Sequence, residues 1–119
     1  MKYVMLIFQG STPLPGTDAW SSLSEEEQKQ IYADYGALNS TEGVEPGLPL
    51  GQPEHATTVR VDDGKVLTTD GPFASVKEAI GGFFVPEAED LDAAIEVASR
   101  VPAARLGGAI EIRPVETYW

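Results

Sequence analysis

Six consecutive residues near the N-terminus, Tyr3 to Phe8, constrain the fold more than any other stretch. Taken with a two-residue period they place Tyr3, Met5 and Ile7 on one face and Val4, Leu6 and Phe8 on the other, apolar on both. A strand of that kind lies inside a sheet with cover on both faces, or with one face in its own core and the other in an interface. The rest of the chain must supply that cover.

Two helices are written into it. Ser24 followed by Glu27 is a capping-box signature, with Glu25 and Glu26 favourably placed at a helix N-terminus. The helix runs to about Ser40 with Ile31, Tyr35 and Leu38 at helical spacing, enough to cover a sheet on one face only. Asp90 is an N-cap for a second helix, with Leu91, Ala94, Ile95, Ala98 and Val101 in one stripe and Pro102 as its end. Between the helices, Thr57–Asp62 alternates apolar and polar residues, Asp63-Gly64 supplies a two-residue turn, and Lys65–Thr69 returns as a hairpin. Gly82–Glu87 and Ala109–Val115 read as further strands, the last with Ile110 and Ile112 facing inward. The Gly-, Ser-, Thr- and Pro-rich residues 9–20 read as a loop, 43–56 as an irregular connection with a short strand at Leu48–Leu50, and Val76–Ile80 as a helical turn.

The resulting order, β-α-β-β-β-α-β, is that of a ferredoxin-like α+β sandwich in one domain spanning residues 1–119: an antiparallel sheet, two helices on one face and an added hairpin. The other face then needs a cover, and a second copy of the chain is the economical one, giving a homodimer. The terminal Thr117-Tyr118-Trp119 points the same way, because exposed aromatic residues are used sparingly.

Composition narrows the chemistry. Eight basic against nineteen acidic residues give a net charge of −11, which repels nucleic-acid backbones and anionic membranes. With no cysteine and one histidine, disulfides, thiolate metal sites and a cysteine nucleophile are excluded, and no spacing resembles a metal or calcium loop. No cofactor is expected: Gly81-Gly82 lacks the context of a nucleotide loop. The apolar run at the N-terminus is too short for an export signal and nothing approaches a membrane span, so a cytoplasmic location is expected.

The candidate site is LTTDGPFASVKEAIGG, Leu67 to Gly82, where an acidic residue, a Gly-Pro turn and an aromatic follow a strand. Asp70 is either a turn residue accepting backbone hydrogen bonds or a carboxylate able to move a proton once burial raises its pKa. Gly71 and Pro72 serve backbone geometry. Phe73 is a core or interface plug or a stacking surface, and Lys77 holds an anionic ligand, pairs with Asp70 or stays solvated beside Glu78. Tyr3 and His55 complete the candidate ligand-binding set.

The run TTDGPFASVKEAIGGFFV resembles the DGPF branch of the YCII-related family. KYVMLIFQG, TTVRVDDGKVLTTDGPF, EDLDAAIEVASRVPAA and IEIRPVE fall in the matching order over essentially the whole chain. The resemblance implies a dimeric ferredoxin-like or α/β-barrel-type domain, a bacterial setting, and for this branch a link to extracytoplasmic-function sigma factors. For YCII-like proteins it also implies an enzyme with a His–Asp pair in a cleft near the dimer interface. This chain departs there, since His55 lies in the loop before the hairpin and does not take the place of that histidine.

Two readings follow. In one, the protein is a small-molecule-binding or non-catalytic, regulator-associated homodimer, with Asp70 held in its turn and an apolar patch exposed. In the other, it is a cofactor-free isomerase- or lyase-type enzyme acting on a small organic acid, with Asp70 as acid and base inside an enclosed pocket.

Overall fold

A computed structural model describes residues 1–75 and 79–118. The strands are β1 (Tyr3–Phe8), β2 (Val44–Glu45), β3 (Thr57–Asp62), β4 (Lys65–Asp70), β5 (Ile80–Pro86) and β6 (Ala109–Pro114). The helices are α1 (Asp18–Ser21), α2 (Glu25–Asn39), α3 (Leu91–Ser99) and α4 (Pro102–Arg105), with a single 3-10 turn at Pro53–His55. The main sheet has the order β2-β5-β1-β6, antiparallel throughout, while β3 and β4 form a separate two-stranded hairpin. With the hairpin set aside as an insertion, that is the ferredoxin-like strand order.

The doubly apolar β1 takes the inner position its composition demands. Met5 pairs with Phe84 on one side and Ile112 on the other, and Leu6 with Phe83 and Glu111. Tyr3, Met5, Ile7 and Phe84 meet Leu38 of α2, Ala94 and Ala98 of α3, Val101 and Ala103 in one core. Both long helices therefore cover a single face. Val4, Leu6, Phe8, Phe83 and Val85 belong to the opposite face by alternation and stay half-buried, with no helix over them among the described residues.

The caps form as the sequence requires. The Glu27 N–H donates to Ser24 Oγ at 3.1 Å, and the Ser24 N–H donates to Glu27 Oε1 at 3.3 Å. The Ala93 N–H donates to Asp90 Oδ1 at 2.8 Å. Ser24→Ala is expected to cost about 1 kcal/mol and lower Tm by roughly 4 °C, read by thermal unfolding under circular dichroism.

Four details differ from the sequence expectation. The loop over residues 9–20 contains α1, capped by Thr17, whose hydroxyl accepts from the Trp20 N–H. A short β2 forms at Val44–Glu45, whereas the 48–50 stretch contributes only a bridge from Pro49 to Gly82. Pro102 does not simply end α3: its missing N–H and fixed φ suit the first turn of a helix, and it opens α4. The buried stripe on α3 is narrower than expected, because Leu91 and Ile95 are about half exposed. The expected turn at Val76–Ile80 lies mostly outside the described residues, and Ile80 already belongs to β5. Among the described residues no helix is long and apolar enough to cross a membrane.

A candidate ligand cavity between α2 and the sheet

The helix-covered face is incompletely filled at the end of β1. Ile7 pairs with Gly82, which follows the same inward parity as Phe84 but offers no side chain. The shortage of side-chain volume leaves a cavity of about 600 Å³. Its floor is Ile7 with Gly81 and Gly82, one wall is Ile31, Tyr32 and Tyr35 of α2, and the rim is formed by residues 9, 10 and 12–15, Trp20 and residues 47–54. Such a volume lies within the usual range for small-molecule sites.

The glycines here serve close approach. The Leu50 N–H donates to the Gly81 carbonyl at 2.9 Å, so residues 47–50 lie against the outer edge of β5 and extend the line of β2. The prolines at 46 and 49 suit an edge position, where a missing N–H breaks no ladder. A Cβ on Gly47 would run into the Phe83 carbonyl, and one on Gly81 into the Gln9 side chain. Gly81-Gly82 thus lets a second backbone approach at the edge, and Gly82 leaves open space over the floor.

The wall is aromatic. Trp20 and Tyr32 meet edge to face at 5.3 Å between ring centroids, and Tyr35 stacks on Phe84 at 6.4 Å. Burial pushes the Tyr35 phenol above its ordinary pKa, offset only in part by Arg105, because a phenolate would lose its hydration there. Two polar atoms are orphaned in the wall: Gln9 Oε1 and Thr12 Oγ1 are buried and have no hydrogen-bond partner among the described residues. Both residues line the cavity. Such atoms are uncommon in folded proteins and call for a physical account.

The residues singled out by sequence lie elsewhere. Asp70 is exposed at the end of β4, paired with Thr57, and lines neither this cavity nor the next. Gly71 adopts φ of 103°, its N–H donates to Ala56 O at 2.7 Å, and its carbonyl accepts from Thr58 Oγ1 at 2.8 Å. The Asp-Gly-Pro turn is thus pinned to the start of β3, with glycine supplying the left-handed conformation. Pro72, Phe73 and His55 come together with Phe8, Leu50 and Ile80 around a second, shallower hollow of about 450 Å³ at the hairpin's base. Phe73 is 79% exposed, with the Arg60 guanidinium 5.6 Å from its ring centroid. Tyr3 is a core residue at the opposite end of β1, paired with Pro114, and lines neither hollow. Lys77 lies outside the described residues. Among those described, no group of three or more His, Asp or Glu side chains could hold a metal ion.

Gln9, Thr12, Trp20, Tyr32 and Tyr35 were missed because none belongs to a recognisable motif. The available signals were a large aromatic in an otherwise Gly-, Ser- and Pro-rich loop, and two tyrosines on a helix with a thin apolar stripe.

The sequence profile of the YCII-related domain matches residues 1–118. An uncharacterized protein of Rhizobium meliloti is 29% identical over 123 aligned residues, covering 99% of this chain and 94% of that protein. Among solved structures the chain is similar to 5-chloro-2-hydroxyhydroquinone dehydrochlorinase from Burkholderia phenoliruptrix, in complex with 2,5-dihydroxybenzoquinone. The TM-score is 0.47 and the identity 18%, over 98% of this chain and 94% of that one.

Proposed function

The chain belongs to the YCII-related domain family, and on that premise we propose that it is a homodimeric small-molecule-binding protein whose ligand occupies the cavity between α2 and the sheet. The observation that carries this reading is the cavity itself: ligand-sized, aromatic-walled, and lined by two residues, Gln9 and Thr12, that each carry a buried polar atom with no partner among the described residues. A side chain at position 82 could help fill the space; the sequence has glycine instead.

Support for the dimer comes from surface that a monomer would leave wet. The uncovered sheet face is apolar along β1 and β5, and Val59, Val61 and Val66 of the hairpin are each at least 60% exposed. An isolated two-stranded hairpin is marginal in water, so a hairpin of this composition gains by lying against another chain. No placement in the single chain favours Asp70 as an acid or base, since it stands outside both hollows.

A thermal-shift screen of small organic molecules on wild type and Asp70→Asn tests the reading. A cavity ligand at about a hundred times its Kd adds about 2.7 kcal/mol of stability. Wild type and Asp70→Asn should shift alike, while Tyr35→Ala, still folded, loses the response. If Asp70→Asn loses the shift and Tyr35→Ala keeps it, the ligand belongs to the DGPF turn and the cavity assignment fails.

A further inference from the structure

Resting on that reading, we infer that the cavity selects uncharged aromatic ligands carrying a hydroxyl or N–H group, and rejects the carboxylates of organic acids. The walls supply the first half of this. Trp20, Tyr32, Tyr35 and Phe84 offer ring faces and edges, and aromatic ligands pack against such surfaces in offset or edge-on geometry. The polar groups supply the second. Gln9, Thr12, Tyr32, Asn39 and Gln52 all line the cavity, and every one is a neutral amide or hydroxyl.

Charge decides against anions. Among the described residues the lining contains no Lys, Arg or His, and its one ionisable carboxylate is Glu54. A ligand carboxylate would therefore lose its hydration shell and find no cation among the described lining residues, inside a chain of net charge −11. The raised pKa of Tyr35 reports the same property of the wall, which disfavours negative charge.

Gln9 and Thr12 line the cavity and each carries a buried polar atom with no partner among the described residues, which a ligand hydroxyl or N–H meets after a small rotation of the side chain. A buried acceptor without a donor is costly, and a ligand that supplies one recovers that cost on binding. The Gln9 amide can present its oxygen or its nitrogen, and the Thr12 hydroxyl can accept or donate. A ligand hydroxyl can answer all of these; an ether or a bare ring cannot. Gly81 brings Gln9 to this place, because the Gln9 side chain occupies the space a Cβ there would fill.

The test uses three probes of nearly the same shape: 2-naphthol, 2-methoxynaphthalene and 2-naphthoate. Binding is read by quenching of Trp20 in a Trp119→Phe background and by thermal shift. The expected order is naphthol tightest, methoxynaphthalene about tenfold weaker, and naphthoate weaker still by at least another tenfold. Thr12→Val, which keeps the side-chain shape, should bring naphthol and methoxynaphthalene within a factor of two to three of each other. Gln9→Leu provides the same comparison should Thr12→Val misfold. Naphthoate binding as tightly as naphthol would overturn the ligand class, as would equal affinity for naphthol and its methyl ether. If none of the three binds while a broader screen finds a ligand whose response Tyr35→Ala removes, the class is wrong and the cavity assignment stands. If no compound in that screen binds either, both fall.

Discussion

Leu6→Glu is expected to convert the protein from a dimer of twice 12.7 kDa to a folded monomer of 12.7 kDa. Leu6 lies in the middle of β1 on the uncovered sheet face, with Phe83 on one neighbouring strand and Glu111 on the other. In the proposed dimer, each copy would bury a new carboxylate against the apolar surface of its partner. An ionised carboxylate there is poorly compensated, since Glu111 beside it is also acidic and already engages Arg113 at 3.0 Å, and near a twofold axis it would face its own copy. A penalty of about 4 kcal/mol, which is conservative for two such charges, weakens the dimer roughly a thousandfold. Within one chain the side chain is only half-buried and stays open to water, so the fold should survive. Light scattering after gel filtration reads the mass, and circular dichroism checks the fold. Wild type running as a monomer at tens of micromolar would refute the dimer outright.

The second large effect is expected of Gly47→Ala. A methyl group is a small addition, but here it points at the carbonyl of Phe83, which is main chain and part of β5. A flexible side chain could swing away; a ladder strand cannot move without disturbing its pairing with β1. Either the 47–50 segment leaves the edge of β5, giving up the bond from the Leu50 N–H to the Gly81 carbonyl, or β5 shifts. Overpacking of this kind costs about 1–3 kcal/mol, and at the upper end lowers Tm by roughly 10 °C for a domain of this size. The same segment forms one rim of the cavity, so ligand affinity should fall alongside stability. Gly51→Ala is the control: a Cβ there meets nothing within 4 Å, and the variant should melt within a degree or two of wild type. A Gly47→Ala protein melting like that control would show that the edge segment is not held against β5.

Sequence made the fold legible and the site only partly so, and the reason is physical. The capping box at Ser24, the Asp63-Gly64 turn and the alternation in β1 are local signals, each readable within a few residues, and each forms as expected. Alternation also separates the two faces of β1, but since both are apolar only the packing shows that the helices cover Tyr3, Met5 and Ile7. The cavity has no such signature. It arises because Gly82 on β5, Ile7 on β1 and Tyr35 on α2 converge through the register of strands far apart in sequence, and the decisive quantity is side-chain volume left unfilled. The DGPF turn, by contrast, is conspicuous in the sequence because its Gly-Pro geometry is local. Gly71 at φ 103°, bonded to Ala56 and Thr58, accounts for much of that geometry without a ligand.

The position of β1 in the sheet bears on how the chain comes to be folded at all. Residue 5 finds its strand partners only at positions 84 and 112, so the first strand made must wait for almost the last before its ladder is complete. Pairings of such long range close slowly. Throughout synthesis, a segment apolar on both faces and rich in β-formers emerges from the ribosome with nothing of its own to pair with, which is the condition under which nascent chains aggregate. Production of this protein should therefore depend on translation speed, temperature and chaperone supply more than its size suggests. Moving the break in the chain to the exposed Asp63-Gly64 turn by circular permutation would place β1 directly after β6 with β5 already made, shortening both of those waits.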